Sequence, residues 1–139
     1  MAMKETDMLN AWLWEKHRED LQWRRVRLGP IPSKAMARMY MTMLRYVDAI
    51  VIKEGIVYII EAKLRPNFGV IGQLEGYNLL FYNSPEFTQY KLYPSQMIIL
   101  SAIVSLDVAE LASKKDIAFE VFSEEDVNKT RMAQMLPVV

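Results

Sequence analysis

The chain has 139 residues, a formal net charge of zero, 52 % hydrophobic and 24 % charged residues. That composition suits a single folded domain over residues 1–139 and excludes a disordered chain. Cysteine is absent and His17 is the only histidine, which excludes a disulfide scaffold, a thiol nucleophile, zinc–cysteine and iron–sulfur sites and any multi-histidine metal centre.

The predicted elements run as follows. Residues 7–20 read as a helix that Thr6 or Asp7 can cap, with Leu9, Trp12, Leu13 and the stem of Lys16 forming an i, i+3, i+4 stripe. Residues 21–28 alternate as a strand that is half basic, and Gly29-Pro30-Ile31-Pro32 ends it. Residues 33–44 are rich in methionine and read as a loop or a short helix. Residues 45–53 and 56–64 are two strands rich in Val, Ile and Tyr, joined by Glu54-Gly55, a two-residue hairpin signal. Residues 69–82 read as a helix stopped by Asn83-Ser84-Pro85. Residues 96–104 form an apolar run typical of a buried strand. A short helix over 106–115, with Ser105 as its cap, precedes a last strand at 117–122. Ser123, with Asp126 three residues on, opens a C-terminal helix. A hairpin followed by β-α-β units implies a mixed sheet with helices on both faces.

Zero net charge argues against a nucleic-acid binder only while the charges are summed. Residues 21–65 hold nine Lys/Arg against three Asp/Glu, a net +6, and the rest of the chain holds the balancing −6. Arg24, Arg25 and Arg27 are the leading phosphate-contact candidates, with Lys34, Arg38 and Arg65 adding to the same groove. Simple alternation puts Arg25 and Arg27 on one strand face and Arg24 on the other.

The hairpin has its own arithmetic. If Lys53 pairs with Ile56, Ile50 faces Ile59 and Asp48 faces Glu61. Side chains directly opposed on one face have Cβ atoms about 4.5–5.5 Å apart, so an acidic pair there, amid valines and isoleucines, is costly. Lys63 shares the face of Glu61. A divalent cation would relieve the repulsion, and two carboxylates with several waters suit Mg²⁺. A solvated strand end, with Lys63 merely paired to the acids, explains the same spacing.

The segment YVDAIVIKEGIVYIIEAKL (Tyr46 to Leu64) resembles the core of the PD-(D/E)XK nuclease superfamily. Asp48 stands at the first acid and Glu61-Ala62-Lys63 at the (D/E)XK triplet; Val47 replaces the nominal proline. Gln73 and Tyr77, at i and i+4 of the following helix, resemble the Q-x-x-x-Y motif of the RecB-like branch, both projecting toward the hairpin. The likeness implies a restriction-endonuclease-like αβββαβ core. It implies Mg²⁺ or Mn²⁺ held by Asp48, Glu61, the Ala62 carbonyl and an acid of the first helix, for which Glu15 is the choice and Glu19 the second. Asp48, Glu61, Lys63, Gln73 and Tyr77 are then the catalytic candidates of a DNA phosphodiesterase. The rival readings are a dimeric structure-specific endonuclease, such as a Holliday junction resolvase, and a non-catalytic DNA-binding or assembly module on the same fold. A homodimer or larger homo-oligomer would use the methionines of 33–44 or helix 123–135.

The remaining conspicuous residues read as structural. His17 is expected to be an exposed helix residue, and Trp12, Trp14 and Trp23 to be packing residues. No stretch reaches the roughly 18 apolar residues of a membrane span, and the N-terminus lacks the apolar run of a signal peptide, so a cytoplasmic location without membrane contact is expected.

Overall fold

The computed structural model describes residues 2–30 and 45–136, with the side chain of Arg45 left aside. The segment 33–44, with Lys34, Arg38 and its methionines, therefore lies outside the described residues. Helix α1 (Glu5–His17) leads into strand β1 (Leu21–Leu28). Strands β2 (Arg45–Lys53) and β3 (Ile56–Lys63) follow, then helix α2 (Gly69–Phe81) and a 3₁₀ segment (Pro85–Tyr90). Strand β4 (Ser95–Ser101), helix α3 (Leu106–Lys114), strand β5 (Ile117–Val121) and helix α4 (Glu124–Met135) complete the order.

The five strands form one sheet in the order β1-β2-β3-β4-β5. The first three are antiparallel neighbours and the last three parallel, so the sheet is mixed as expected. Its two faces bury separate cores. One face packs Ile50, Val57, Ile59 and Ile99 under α2 through Val70, Ile71, Leu74, Tyr77 and Phe81. The other packs Val51, Ile60, Ile98 and Leu100 under α1 through Met8, Leu9, Trp12 and Leu13, and under α4 through Val127. Each fully buried isoleucine or leucine contributes about 1.5–3 kcal/mol, and these layers hold the hairpin rigid.

The hairpin turns as its sequence implies. Glu54 and Gly55 have φ of 50° and 77°, the pair of left-handed residues that a two-residue loop between twisted strands requires. Lys53 pairs with Ile56 and Ile50 with Ile59, the expected register.

Several boundaries differ. Helix α1 starts two residues early: Lys4 is its N-cap, and Asp7 lies three residues on, its Oδ2 accepting from the Lys4 amide at 3.1 Å. Neither Thr6 nor Asp7 is the cap. The buried stripe continues to His17, while Lys16 is exposed. Strand β4 ends at Ser101, whose Oγ binds the backbone of Ile103 and turns the chain out of the sheet. Ser105 stands at the N-cap of α3 without a side-chain cap bond, whereas Ser123 and Asp126 form the full capping box of α4.

One irregularity interrupts the antiparallel half. Trp23, Val26 and Leu28 of β1 belong to the core under α2, and so do Val47, Ile50 and Ile52 of β2. Strict alternation would put Val26 on the face opposite Trp23, and Val47 opposite Ile50. Each strand therefore carries one extra residue, Arg25 and Asp48, at the same level. The β1–β2 ladder pairs Arg24 with Ala49 and Val26 with Val47 and skips Arg25 and Asp48 between them. Arg25 has φ of 49°, a left-handed conformation in mid-strand. Parity across it is lost, so the expected sharing of one face by Arg25 and Arg27 does not follow.

Candidate active site

The open end of the β2–β3 hairpin brings Asp48, Glu61 and Lys63 together. Continuous pairing of the two strands stops at Ala49 and Ile60, one step short of the expected Asp48–Glu61 pair. Beyond it the carboxylates take over from the backbone. The Asp48 amide donates to Glu61 Oε1 at 3.2 Å, and the Ala62 amide donates to Asp48 Oδ2 at 2.8 Å. The two acids are thus brought together through each other's strand rather than as a plain cross-strand pair.

Glu61 is 3 % exposed and lies beside Ile99 of β4. Burial, followed by the charge of Asp48 and a side-chain hydrogen bond with it, raises its pKa from 4.5 to about 8; the Asp48 amide and the ammonium of Lys63 oppose the rise. Near neutral pH Glu61 therefore keeps its proton. Lys63 is half-buried and pairs across to Ser101 of β4.

The donor set suits a hard divalent cation. Two carboxylates converge in a site where both cannot ionise comfortably, and a cation would displace the proton that Glu61 retains. Among the described residues no group of three or more acidic or histidine side chains is placed to hold a metal ion. A cation there would thus rely on Asp48, Glu61, backbone oxygen and water.

The structure does not bring the acids expected from α1 to this pair. Glu15 and Glu19 line a hollow with Lys53 and Asp20, at the turn end of the hairpin. The residue of α1 at the open end is Glu5, whose Oε2 accepts from the Leu64 amide at 3.1 Å, one residue past Lys63. Helix rise explains the difference: ten residues at 1.5 Å put Glu15 about 15 Å along the axis from Glu5. The sequence signal for Glu5 was its place in the first turn of a helix that runs antiparallel to β3, and that direction is tertiary information.

His17 is a correction. It is 9 % exposed, packs against Trp12, and its Nδ1 lies 2.8 Å from Asp20 Oδ2. Asp20 also faces Lys53 at 3.9 Å, so this trio closes the turn end. Trp12 and Trp23 pack as expected, the latter edge-on to Phe87 and Tyr90. Trp14 is half-buried under the guanidinium of Arg18.

Tyr77 of α2 is buried in the core on the Glu61 and Lys63 side of the sheet. Gln73 is exposed and lines, with Gly72, Gly76 and Tyr77, a surface groove of about 500 Å³. The two residues share a groove, but only Tyr77 packs inward on the sheet. The three arginines of β1 go to separate partners. Arg24 donates to Asn10 of α1 at 2.6 Å, Arg27 pairs with Glu86 of the 3₁₀ segment at 2.8 Å, and the Arg25 guanidinium lies 5.7 Å from the Tyr46 ring. Arg65 is exposed just beyond β3.

No family model and no curated protein matches the chain. Two solved structures resemble it. The crystal structure of a repair endonuclease from Pyrococcus abyssi aligns with a TM-score of 0.57 at 15 % identity, over 88 % of this chain and 48 % of that one. A crystal structure of a protein of unknown function aligns with a TM-score of 0.57 at 13 % identity, over 96 % and 71 % of the two chains. The chain spans about half the length of the repair endonuclease. At these identities the likeness carries the fold alone: a mixed five-stranded α/β sheet flanked by helices.

Proposed function

We propose that the chain is a metal-dependent nuclease that hydrolyses phosphodiester bonds in DNA. One observation carries this reading: the Asp48 amide holds the Glu61 carboxyl and the Ala62 amide holds the Asp48 carboxylate, with Lys63 beside them, on a fold like that of a repair endonuclease. A structural role alone offers no reason to bury an acid against an acid when replacing either would relieve the cost.

Asp48 and Glu61 would hold Mg²⁺ or Mn²⁺, with the Ala62 carbonyl as a further oxygen. When bound, the cation supplies a Lewis acid for the scissile phosphate and a lowered pKa for the attacking water. The Ala62 amide fixes the Asp48 carboxylate in advance, so little reorganisation is needed at the moment of reaction. Lys63 would donate to the attacking water and balance the charge that develops on phosphate. Gln73, exposed on α2, and Tyr77 would orient the strand or Lys63. Arg25 and Arg65 are exposed and available for phosphate, whereas Arg24 would first have to leave Asn10, and Arg27 Glu86.

The test is a panel of labelled single-stranded, duplex, flapped and four-way-junction DNA, incubated with Mg²⁺ or Mn²⁺. Cleavage that vanishes in Asp48→Ala and Lys63→Ala proteins of unchanged fold is expected. Cleavage that survives in both removes the site assignment. Failure of the wild-type chain to bind either metal in calorimetry favours a DNA-binding or assembly module instead.

A further inference from the structure

Three non-glycine residues among those described have positive φ: Arg25, Glu54 and Asp116. Glu54 sits in the hairpin loop, and Asp116 lies just past the end of α3, where left-handed residues commonly end helices. Arg25 has neither setting. It lies in the middle of β1, at the level of Asp48, where strand geometry asks for an extended residue.

The break in pairing is localised at this residue. Pairs on both sides of it keep one register: Trp23 with Ile50 and Arg24 with Ala49 on one side, Val26 with Val47 and Arg27 with Tyr46 on the other. An ordinary bulge adds a residue to one strand only and shifts the register beyond it. Here both strands add one, so the register survives and only Arg25 and Asp48 leave the ladder. Asp48 is thereby released from β1. It turns to β3, where its carboxylate takes the Ala62 amide at 2.8 Å and its own amide goes to Glu61 at 3.2 Å.

We propose that Arg25 is a positioning residue of the active site: its left-handed backbone opens the β1–β2 ladder opposite Asp48 and frees that residue to set its carboxylate beside Glu61. The backbone conformation, not the guanidinium, is the agent. The Arg25 side chain is exposed, its one ring contact being with Tyr46, two residues before Asp48. The consequence for metal binding rests on the proposed nuclease function, while the placement of Asp48 does not.

The two parts are separable by experiment. Glycine and asparagine tolerate left-handed backbone, whereas a β-branched residue resists it and favours an extended strand. Arg25→Gly and Arg25→Asn are expected to keep Mn²⁺ affinity within about twofold in calorimetry, since the backbone is retained. Arg25→Val is expected to weaken it about tenfold or more, the usual scale when a ligand loses its support. Hydrogen exchange at the Ala62 amide is read in parallel: protected in wild type, Gly and Asn proteins, and faster in the Val protein. If Arg25→Val does not fold, Arg25→Thr, also β-branched, takes its place with the same directions. A folded Val or Thr protein with wild-type affinity and a protected Ala62 amide overturns the proposal. So does equal loss in the Gly and Val proteins, which would assign the effect to the side chain. Should wild type bind no Mn²⁺, the nuclease reading fails, and Ala62 exchange alone decides the role of Arg25.

Discussion

The two ends of the β2–β3 hairpin solve the same problem in opposite ways. At the turn end, Asp20 lies between His17 and Lys53, so an acid meets bases and its charge is balanced. At the open end, Glu61 meets Asp48, and Lys63 only partly offsets the repulsion. The same sheet, covered on both faces, supports both. The turn end joins α1 to the hairpin and gains stability from the contact. The open end spends stability to hold two carboxylates in one place, which makes sense where a cation is to be bound.

Breaking the open end should give the largest effect. Asp48→Ala or Lys63→Ala is expected to lower cleavage on the order of 10³-fold, the scale of removing one preorganised charge from a reaction centre. Initial rates on whichever DNA of the panel is cut best, with circular dichroism to confirm folding, provide the measurement.

Acid–base linkage comes next. The folded chain holds a proton on Glu61 up to about pH 8, whereas the unfolded chain releases it near 4.5. The folded state therefore binds more protons between those values, and metal-free stability must fall as pH rises through them. Urea unfolding should show a loss of roughly 2–3 kcal/mol between pH 6 and pH 8 that is absent in Glu61→Gln. Saturating Mg²⁺ should flatten the wild-type slope, because a cation on the ionised pair stabilises the folded form most where the proton is gone. An identical slope in wild type and Glu61→Gln would place the pH dependence elsewhere.

The turn end should respond more weakly and without consequence for chemistry. Asp20→Ala is expected to cost about 1 kcal/mol, typical of a partly buried hydrogen-bonded charge. Metal affinity and cleavage should stay at wild-type level once the protein is folded. Smaller still is the contrast between the α1 acids. Glu5→Ala removes the acceptor of the Leu64 amide and should weaken Mn²⁺ binding a few-fold, while Glu15→Ala should change nothing that calorimetry resolves. Equal effects from both would mean that α1 acts only through long-range charge.

Those contrasts also mark what the sequence could say. The hairpin was legible because strand alternation and a two-residue loop fix register, and register alone brings positions 48 and 61 to one level. The layers were legible because apolar runs at β3 and β4 demand cover on both faces. The α1 acid was not, since its choice depends on the direction in which the helix crosses the sheet. His17 read as an exposed helix residue because its partner, Asp20, lies beyond the helix end and its cover, Trp12 and Tyr58, comes from packing. The slip at Arg25 was invisible for a different reason: arginine has no preference for left-handed backbone, so nothing in its identity announces that conformation.

That slip bears on how copies of the chain can meet. Strand β1 is one border of the sheet, and a flat border with free amides and carbonyls invites a second molecule to continue the ladder. Here the border is kinked in its middle and carries Arg24 and Arg25, both exposed. A second β1 laid against it would meet a mismatched backbone and like charges. The opposite border, β5, is five residues long and too short to recruit much. Among the described residues neither border offers a long flat edge, and the distortion that turns Asp48 toward Glu61 also makes β1 a poor template for another strand.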